Sequence, residues 1–567
     1  MSSGLDRTPS VLIAPAASAA APASARRARV RRAIDRASSN WPTAAMVSLV
    51  TIGVVARLVI ALTHTGIVYP DETYQMTEAA HRVVFGYGLV PWEFQQGLRS
   101  WIGPGTLLPP MLLGRWLGVA GAQLMLLVKG WVALWAGAGL VLTTIGARRL
   151  GGNAAGLLAA GLAAISPLAL VYDVHPLADT VAAPLPALAL VLLTRRDRGR
   201  HVDGAAVSAG IALVAAGALR PQLLPVVLGL TLATLLSRSR ARLTGLAIGL
   251  AAGALLSGVL DTLTWGLPFA PEWRSTMFNV VDDGSRLWGQ QPATFYLTTS
   301  WHVLGPLGVV VLGAGVLLAA VPRRSEDPVL PIWPVAAGVL LFLAFLSALG
   351  HKELRFVVPA VPLIEILSAV GLARAAQAAA RWAGARRAGA MRAGAQAGPA
   401  VRPSAALVAT AITAVGLFAA GAHARHLTMR DLGYVGDRRS AWRADDLTPR
   451  MLAVAGSLPE TCGVVMLVQR VTWSGGYSYL HKDVPLDSVK SKQAGDWPAW
   501  ANVVVTSSRS QLPAGYRPVA HAGTEVLALR PGPCAPPPPA VAARVIPRPN
   551  QPVASALGPT GPNRDRR

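Results

Sequence analysis

Apolar residues in this chain rarely alternate with polar ones; they run in long blocks separated by short polar punctuation. A bilayer core is crossed by about 20 apolar residues in helical form, fewer where neighbouring helices shield the ends. Residues 43–63, 124–146, 151–171, 181–194, 205–219, 221–236, 242–264, 301–321, 331–349, 357–378 and 404–422 meet that description. The pattern predicts an all-α polytopic membrane protein of about eleven transmembrane helices, spread over residues 41–422. Residues 104–120 are apolar but short and carry Pro109, Pro110 and Arg115, so they read as an interfacial helix within the first outer loop. The pattern changes after residue 423. β-Branched runs such as 463–471 and 501–508, divided by polar turns, predict a small α/β domain over 423–534. Residues 1–40 read as a disordered basic arm without the apolar core of a signal peptide. Residues 535–567 read as a disordered Pro-rich tail.

Composition agrees with membrane burial. Only 14% of the 567 residues are charged, against about a quarter in soluble proteins, while 52% are hydrophobic and mean hydropathy is +0.44. The charge is lopsided, 52 Lys plus Arg against 28 Asp plus Glu. A net +24 suits either a nucleic-acid binder or a membrane protein with basic cytoplasmic loops. Position separates the two. The clusters at 25–32, 148–149, 195–200, 237–241, 323–324 and 381–392 all fall on one side if the N-terminus is cytoplasmic, as the positive-inside rule requires. No nucleic-acid partner is expected. The connections 64–123, 265–300 and 350–356, with everything after 423, then lie outside. On an oxidising outer face Cys462 and Cys534 are expected to be bridged, the alternative being two unpaired thiols.

In so apolar a chain, ionisable residues beside the spans are functional candidates. The loop after the first span holds Asp71, Glu72, Glu78 and Glu93, and a helix there would put Asp71, Gln75 and Glu78 on one face. The turn between the ninth and tenth spans reads HKELRF, gathering His351, Lys352 and Arg355 at the lipid boundary, a combination suited to a phosphate. Each has a plainer reading: helix-dipole charges for the acids, headgroup anchoring for the bases, and an interfacial belt for Trp92, Trp101 and Trp116. Their joint placement on one outer face favours a reaction centre.

These segments resemble the hallmarks of glycosyltransferase family 22, the multi-span mannosyltransferases of GPI-anchor and N-glycan assembly within the GT-C superfamily. The matching residues are Pro70, Asp71, Glu72, Gln75 and Glu78, then Trp92, Glu93, Phe94, Arg99 and Ser100, then His351, Lys352, Glu353, Arg355, Phe356 and Pro359. A third stretch, 261–296, resembles the family's Asp, Phe-Asn, Gly-x-x-Pro and aromatic-Tyr pattern. Tyr69 stands where many members have His, Pro91 where Thr is usual, and 172–180 lacks an Arg-Thr-Leu-Asn run seen in some members.

The resemblance implies a polyprenyl-phosphate mannose donor, a glycan or glycolipid acceptor at the outer face, and inversion at the anomeric carbon. Asp71 is expected as general base with Glu72 next in line. His351, Lys352 and Arg355 are expected on the donor phosphate. Glu353 would orient Lys352 or Arg355 or simply balance their charge, and Gln75, Glu78, Trp92, Glu93 and Arg99 would support the acceptor side. No metal or other cofactor is expected, because cations can stabilise a lipid-phosphate leaving group. The alternatives are a GT-C enzyme using another polyprenyl-phosphate sugar, or a lipid-glycan flippase. Paired polar midplane residues and an internal repeat, which mark transporters, are not evident. An Ala-, Arg- and Gly-rich composition suggests a bacterial inner membrane.

Overall fold

The computed structural model describes residues 23–63, 66–195, 201–322, 330–392, 426–434, 438–442, 447–468, 470–489, 497–507, 512 and 514–548, with side chains from residue 41 onward and, in the last long helix, up to residue 386. The expected span 404–422, the basic runs at 196–200 and 323–324, the first 22 residues and the tail from 549 lie outside them.

The first helix, α1, runs Ala23–Thr63 and so takes in residues 23–40, which the sequence suggested as part of an arm. In the following loop lie α2 (Glu78–Phe85) and α3 (Leu108–Leu117). α3 covers the stretch expected to be interfacial and leaves Leu112, Leu113, Trp116 and Leu117 exposed. α4 spans Gly121–Ile165 but is interrupted at Gly152, whose φ of 75° suits only glycine. A Cβ built on Gly156 would lie 2.9 Å from the Cβ of Arg148. Eight residues along a straight helix separate atoms by about 12 Å, so the chain folds back here and yields two antiparallel apolar segments.

The bundle continues with α5 (Ala178–Leu193), α6 (Gly204–Leu219), α7 (Pro221–Leu236), α8 (Arg240–Trp265), α9 (Ala270–Thr276), α10 (Phe295–Ala320), α11 (Trp333–Ala348) and α12 (Leu354–Arg386). Among the described residues, Trp41–Thr63 of α1 together with α4, α8, α10 and α12 are long and apolar enough to cross a membrane; α5, α6, α7 and α11 are shorter apolar helices. Small residues set their spacing. A Cβ on Gly229 would lie 2.6 Å from the Pro334 carbonyl, and one on Gly338 would lie 2.6 Å from the Pro225 carbonyl, so α7 and α11 touch backbone to backbone.

The C-terminal unit is a five-stranded mixed sheet of order β3-β2-β4-β6-β5. Its strands are β2 (Val464–Met466), β3 (Leu486–Ser488), β4 (Val503–Thr506), β5 (Arg517–Ala522) and β6 (Glu525–Leu529), with β1 (Val90–Pro91) belonging to the loop after α1. Alternation divides the sheet: Val464, Met466, Val503 and Val505 join the main core, while Val465, Val504 and Ala528 pack under Trp500. Cys462 and Cys534 are disulfide-bonded.

Residues 535–548 depart from the expected disordered tail. β7 (Val545–Ile546) pairs in parallel with β1, and Gln95 Nε2 donates to the Ile546 carbonyl at 3.1 Å. Backbone hydrogen bonding to a strand 455 residues earlier is a tertiary event that Pro-rich composition does not encode.

Candidate active site

The loop after α1 carries its carboxylates on a stretch wound more loosely than an α-helix. Glu72–Thr77 is π-helical and continues directly into α2. Asp71 and Gln75 share a face as expected, with Gln75 Nε2 donating to Asp71 Oδ2 at 2.7 Å. The wider i→i+5 winding carries Glu78 off that face.

Arg355, on the first turn of α12, is the hub. Its Nη2 lies 2.6 Å from Asp71 Oδ2, its Nε pairs with Glu353, and its Nη1 is 3.7 Å from Asp179 Oδ2. The guanidinium sits 4.6 Å above the Tyr69 ring, so Tyr69 forms a cation-π floor beneath it. Arg220 pairs with Asp179 from the other side. Gln75 also donates to Glu93 at 3.1 Å, and Glu93 pairs with Arg99. The result is one connected network, Arg220, Asp179, Arg355, Asp71, Gln75, Glu93 and Arg99, drawn from four separate parts of the chain. Arg220 Nε and Arg355 Nη1 are buried without a hydrogen-bond acceptor among the described residues. Buried guanidinium nitrogens of this kind suit an anionic ligand.

Electrostatics follow from the geometry. Burial works to raise the Glu353 carboxyl, but Arg355 and then His351 overcome it and hold it down at about 2. Burial raises the Glu93 carboxyl, Arg99 opposes the shift and Asp71 adds to it. Asp71 itself keeps 24% of its side chain exposed, whereas Asp179 is fully buried. Arg355 and Gln75 both hold Oδ2 of Asp71, and no described residue hydrogen-bonds its Oδ1.

Several expected site residues do other work. Glu72 is 2% exposed; its Oε1 accepts from the Val68 and Tyr69 amides at 2.7 and 3.0 Å, and its Oε2 meets His175 Nδ1 at 2.9 Å. Burial alone would raise this carboxyl, but His175 and the backbone donors reverse the sign. With both oxygens engaged, Glu72 braces the loop. Glu78 is fully buried and accepts from the Leu89 amide and from the amide and hydroxyl of Ser478, fastening the C-terminal domain to the loop. Lys352 Nζ donates to the Gln291 and Leu349 carbonyls, so it ties its own turn to the loop before α10 and does not point into the network. His351 bridges the Gly289 carbonyl and Glu353, at 3.1 and 3.2 Å, and reaches Arg355 through Glu353 and through the Phe356 ring that both contact. Trp92 is 8% exposed and stacks on Trp288 with ring centroids 5.9 Å apart, which makes it neither belt residue nor open sugar platform. Trp116, 80% exposed, fits the belt.

Two members of the network escaped sequence reasoning, Asp179 and Arg220. Each is a lone charge beside an apolar block, and Arg220 falls on the predicted outer face of a chain whose other Arg clusters fall inside. That exception was the available signal.

A profile of the Alg9-like mannosyltransferase family matches residues 48–428, a region containing every member of the network. The chain belongs to the Alg9-like mannosyltransferase family. It is 28% identical over 345 residues to GPI mannosyltransferase 3 of Yarrowia lipolytica, covering 58% of this chain and 62% of that one. It is 30% identical over 178 residues to a probable Dol-P-Man:Man(7)GlcNAc(2)-PP-Dol alpha-1,6-mannosyltransferase of Schizosaccharomyces pombe, 30% of each chain. The chain spans about six-tenths of the length of the GPI mannosyltransferase 3 relative from Yarrowia. ArnT from Cupriavidus metallidurans, solved bound to undecaprenyl phosphate, shares the fold: the TM-score is 0.54 at 14% identity, over 86% of this chain and 98% of that one. This Alg9-like chain is therefore a mostly helical, membrane-embedded protein of GT-C type. Its C-terminal sheet lies beyond the family match.

Proposed function

We propose that this protein transfers mannose from a polyprenyl-phosphate mannose donor to a glycan or glycolipid acceptor, inverting the anomeric centre, with Asp71 as general base. The carrying observation is Asp71 itself, with Oδ2 held by Arg355 and Gln75 while Oδ1 is left open. A carboxylate oriented through one oxygen and open at the other is placed to take a proton. In the reaction the acceptor hydroxyl gives its proton to Asp71, and its oxygen bonds to the anomeric carbon from the face opposite the phosphate. The bond from that carbon to the phosphate oxygen breaks, and polyprenyl phosphate leaves with the electron pair. Arg355 and Arg220 supply the positive charge for the leaving phosphate, in place of the expected His351 and Lys352.

Family membership supports mannose as the sugar. The undecaprenyl phosphate bound by ArnT supports a polyprenyl-phosphate leaving group. The positive-inside charge distribution supports an extracytoplasmic reaction, and the Ala-, Arg- and Gly-rich composition a bacterial inner membrane. The test is transfer by the purified protein in vesicles from defined polyprenyl-phosphate mannose, glucose and arabinose donors, with and without EDTA. Mannose transfer that resists chelation and is lost by at least about 100-fold in Asp71→Asn at unchanged abundance is expected. Transfer that survives Asp71→Asn removes the base assignment. Preferential use of another sugar removes the donor assignment, and chelator-abolished transfer restored by a divalent ion removes the metal-free one.

A further inference from the structure

Outside the charged network, two carboxyls meet where polar groups are scarce. Asp261, near the outer end of α8, is fully buried, and Glu272 on α9 faces it across the intervening turn. None of the four carboxyl oxygens has a hydrogen-bond donor among the described residues. Two ionised carboxylates in apolar surroundings cannot both persist, so the pair shares a proton. Burial, with Asp261 beside it, pushes Glu272 up to about 7.

The pair does not face a dead end. Glu272 lines a cavity together with Gln75, Arg99, Ser100 and Ser275, closed on the apolar side by Met76 and Leu219. Gln75 is 4% exposed, and its Oε1 has no donor although its Nε2 is spent on Asp71 and Glu93. An unpartnered buried acceptor thus lines the same space from the opposite wall. The hairpin is held against the catalytic loop by Trp265 Nε1 donating to the Arg99 carbonyl at 3.2 Å and by Arg274 Nη1 donating to the Gln96 carbonyl at 3.2 Å. Asn279 donates to the Ser275 carbonyl and hydroxyl, which orients Ser275.

The chemistry of this cavity differs from that around Arg355. Arg99 here is already paired with Glu93, and the unpartnered atoms of Glu272 and Gln75 are acceptors, whereas Arg355 and Arg220 keep unpartnered guanidinium nitrogens, so the donor's leaving phosphate belongs at Arg355 and Arg220. A ligand able both to donate to carboxyl and amide oxygens and to accept from the shared proton, with one apolar face, is a neutral sugar ring. We propose that Glu272, backed by Asp261, forms the acceptor-recognition subsite, binding a neutral hexose of the acceptor through hydroxyls held between Glu272 and Gln75. The assignment rests on the sugar-transfer reading above and names where that reaction's acceptor is held.

The test uses the full-length protein in detergent or vesicles, with Glu272→Gln and Asp261→Asn. Each amide still hydrogen-bonds the remaining carboxyl, so the hairpin keeps its closure while the acceptor pattern of the cavity changes. Glu272→Gln is expected to raise the acceptor KM at least tenfold, with donor KM within twofold and thermal stability unchanged. An acceptor KM within twofold, or a rise confined to the donor KM, overturns the proposal. Binding of mannobiose, read by tryptophan fluorescence, needs no turnover and so remains readable if no sugar is transferred. Wild-type binding weakened at least tenfold by Glu272→Gln supports the subsite even then; equal binding by both proteins, or none by the wild type, overturns it.

Discussion

Arg355→Lys isolates the geometry of the hub from its charge. The guanidinium reaches three carboxylates through three different nitrogens: Nη2 to Asp71 at 2.6 Å, Nε to Glu353, and Nη1 toward Asp179 at 3.7 Å. A lysine ammonium is one point on a flexible stem and cannot span that fork. One charge-assisted hydrogen bond, to Glu353, and one close ion pair, to Asp71, are at stake, each contributing about 1.5–3 kcal/mol. Because the positive charge is kept, the lower end applies, about 3 kcal/mol in all. If that loss falls on the transition state, in which Asp71 must be aimed and the phosphate neutralised, it slows transfer by about 100-fold. Arg355→Ala is a poorer test, since stranding Asp71, Glu353 and Asp179 costs about 3–5 kcal/mol and lowers the amount of folded protein. The assay is initial-rate mannose transfer in vesicles, normalised to folded protein by size-exclusion chromatography. A normalised rate within about threefold of wild type refutes the hub role, because it would mean that Arg355 only anchors the turn.

Three further outcomes are expected. Glu72→Gln should lower thermal stability by about 1–3 kcal/mol by disturbing three donors, with transfer per folded molecule within a few-fold of wild type; a selective 100-fold loss of rate would restore Glu72 as a base. The C-terminal domain should loosen in acid. His81 Nδ1 donates to the Tyr87 carbonyl, so its Nε2 accepts from His481, and burial pushes His81 from 6.5 down to about 3. A depressed folded-state value means that this stability is complete above pH 6.5 and is lost as pH falls toward 3, by up to about 1.4 kcal/mol per pH unit. Hydrogen exchange of residues 476–489 at pH 7.5 and 5 reads this, and a slope unchanged in His81→Gln would remove the assignment. Breaking the Cys462–Cys534 bridge, which closes a separation of 72 residues, should destabilise the domain by about 4 kcal/mol on the loop-entropy estimate, visible as faster proteolysis of the C-terminal region. Unchanged proteolysis in Cys462→Ser would show that the bridge contributes little.

The apolar blocks announced the bundle because a membrane helix satisfies its backbone internally and needs only local hydrophobicity. The break between 124–146 and 151–171 was legible from Arg148, Arg149 and the glycines that follow. Asp71 with Gln75 and Arg355 with Glu353 were legible for the same reason: each pair is close in sequence, and each stands out against apolar surroundings. The strand runs of the C-terminal domain were visible in their β-branched residues. Their sheet order was not, because pairing partners are set by long-range packing.

By itself the sequence determined the membrane class and the residue types available for chemistry, both consequences of local composition and spacing. Tertiary structure decided which of those residues meet. It joined Asp179 and Arg220, alone in their segments, to Arg355, and it withdrew Glu72, Glu78 and Lys352 by giving each buried partners elsewhere. It also brought residues 545–546 back onto 90–91. The physical reason is the cost of burying a charge: in so apolar a molecule each ionised group must find an opposite charge or a set of dipoles, and only the folded chain shows which one it finds.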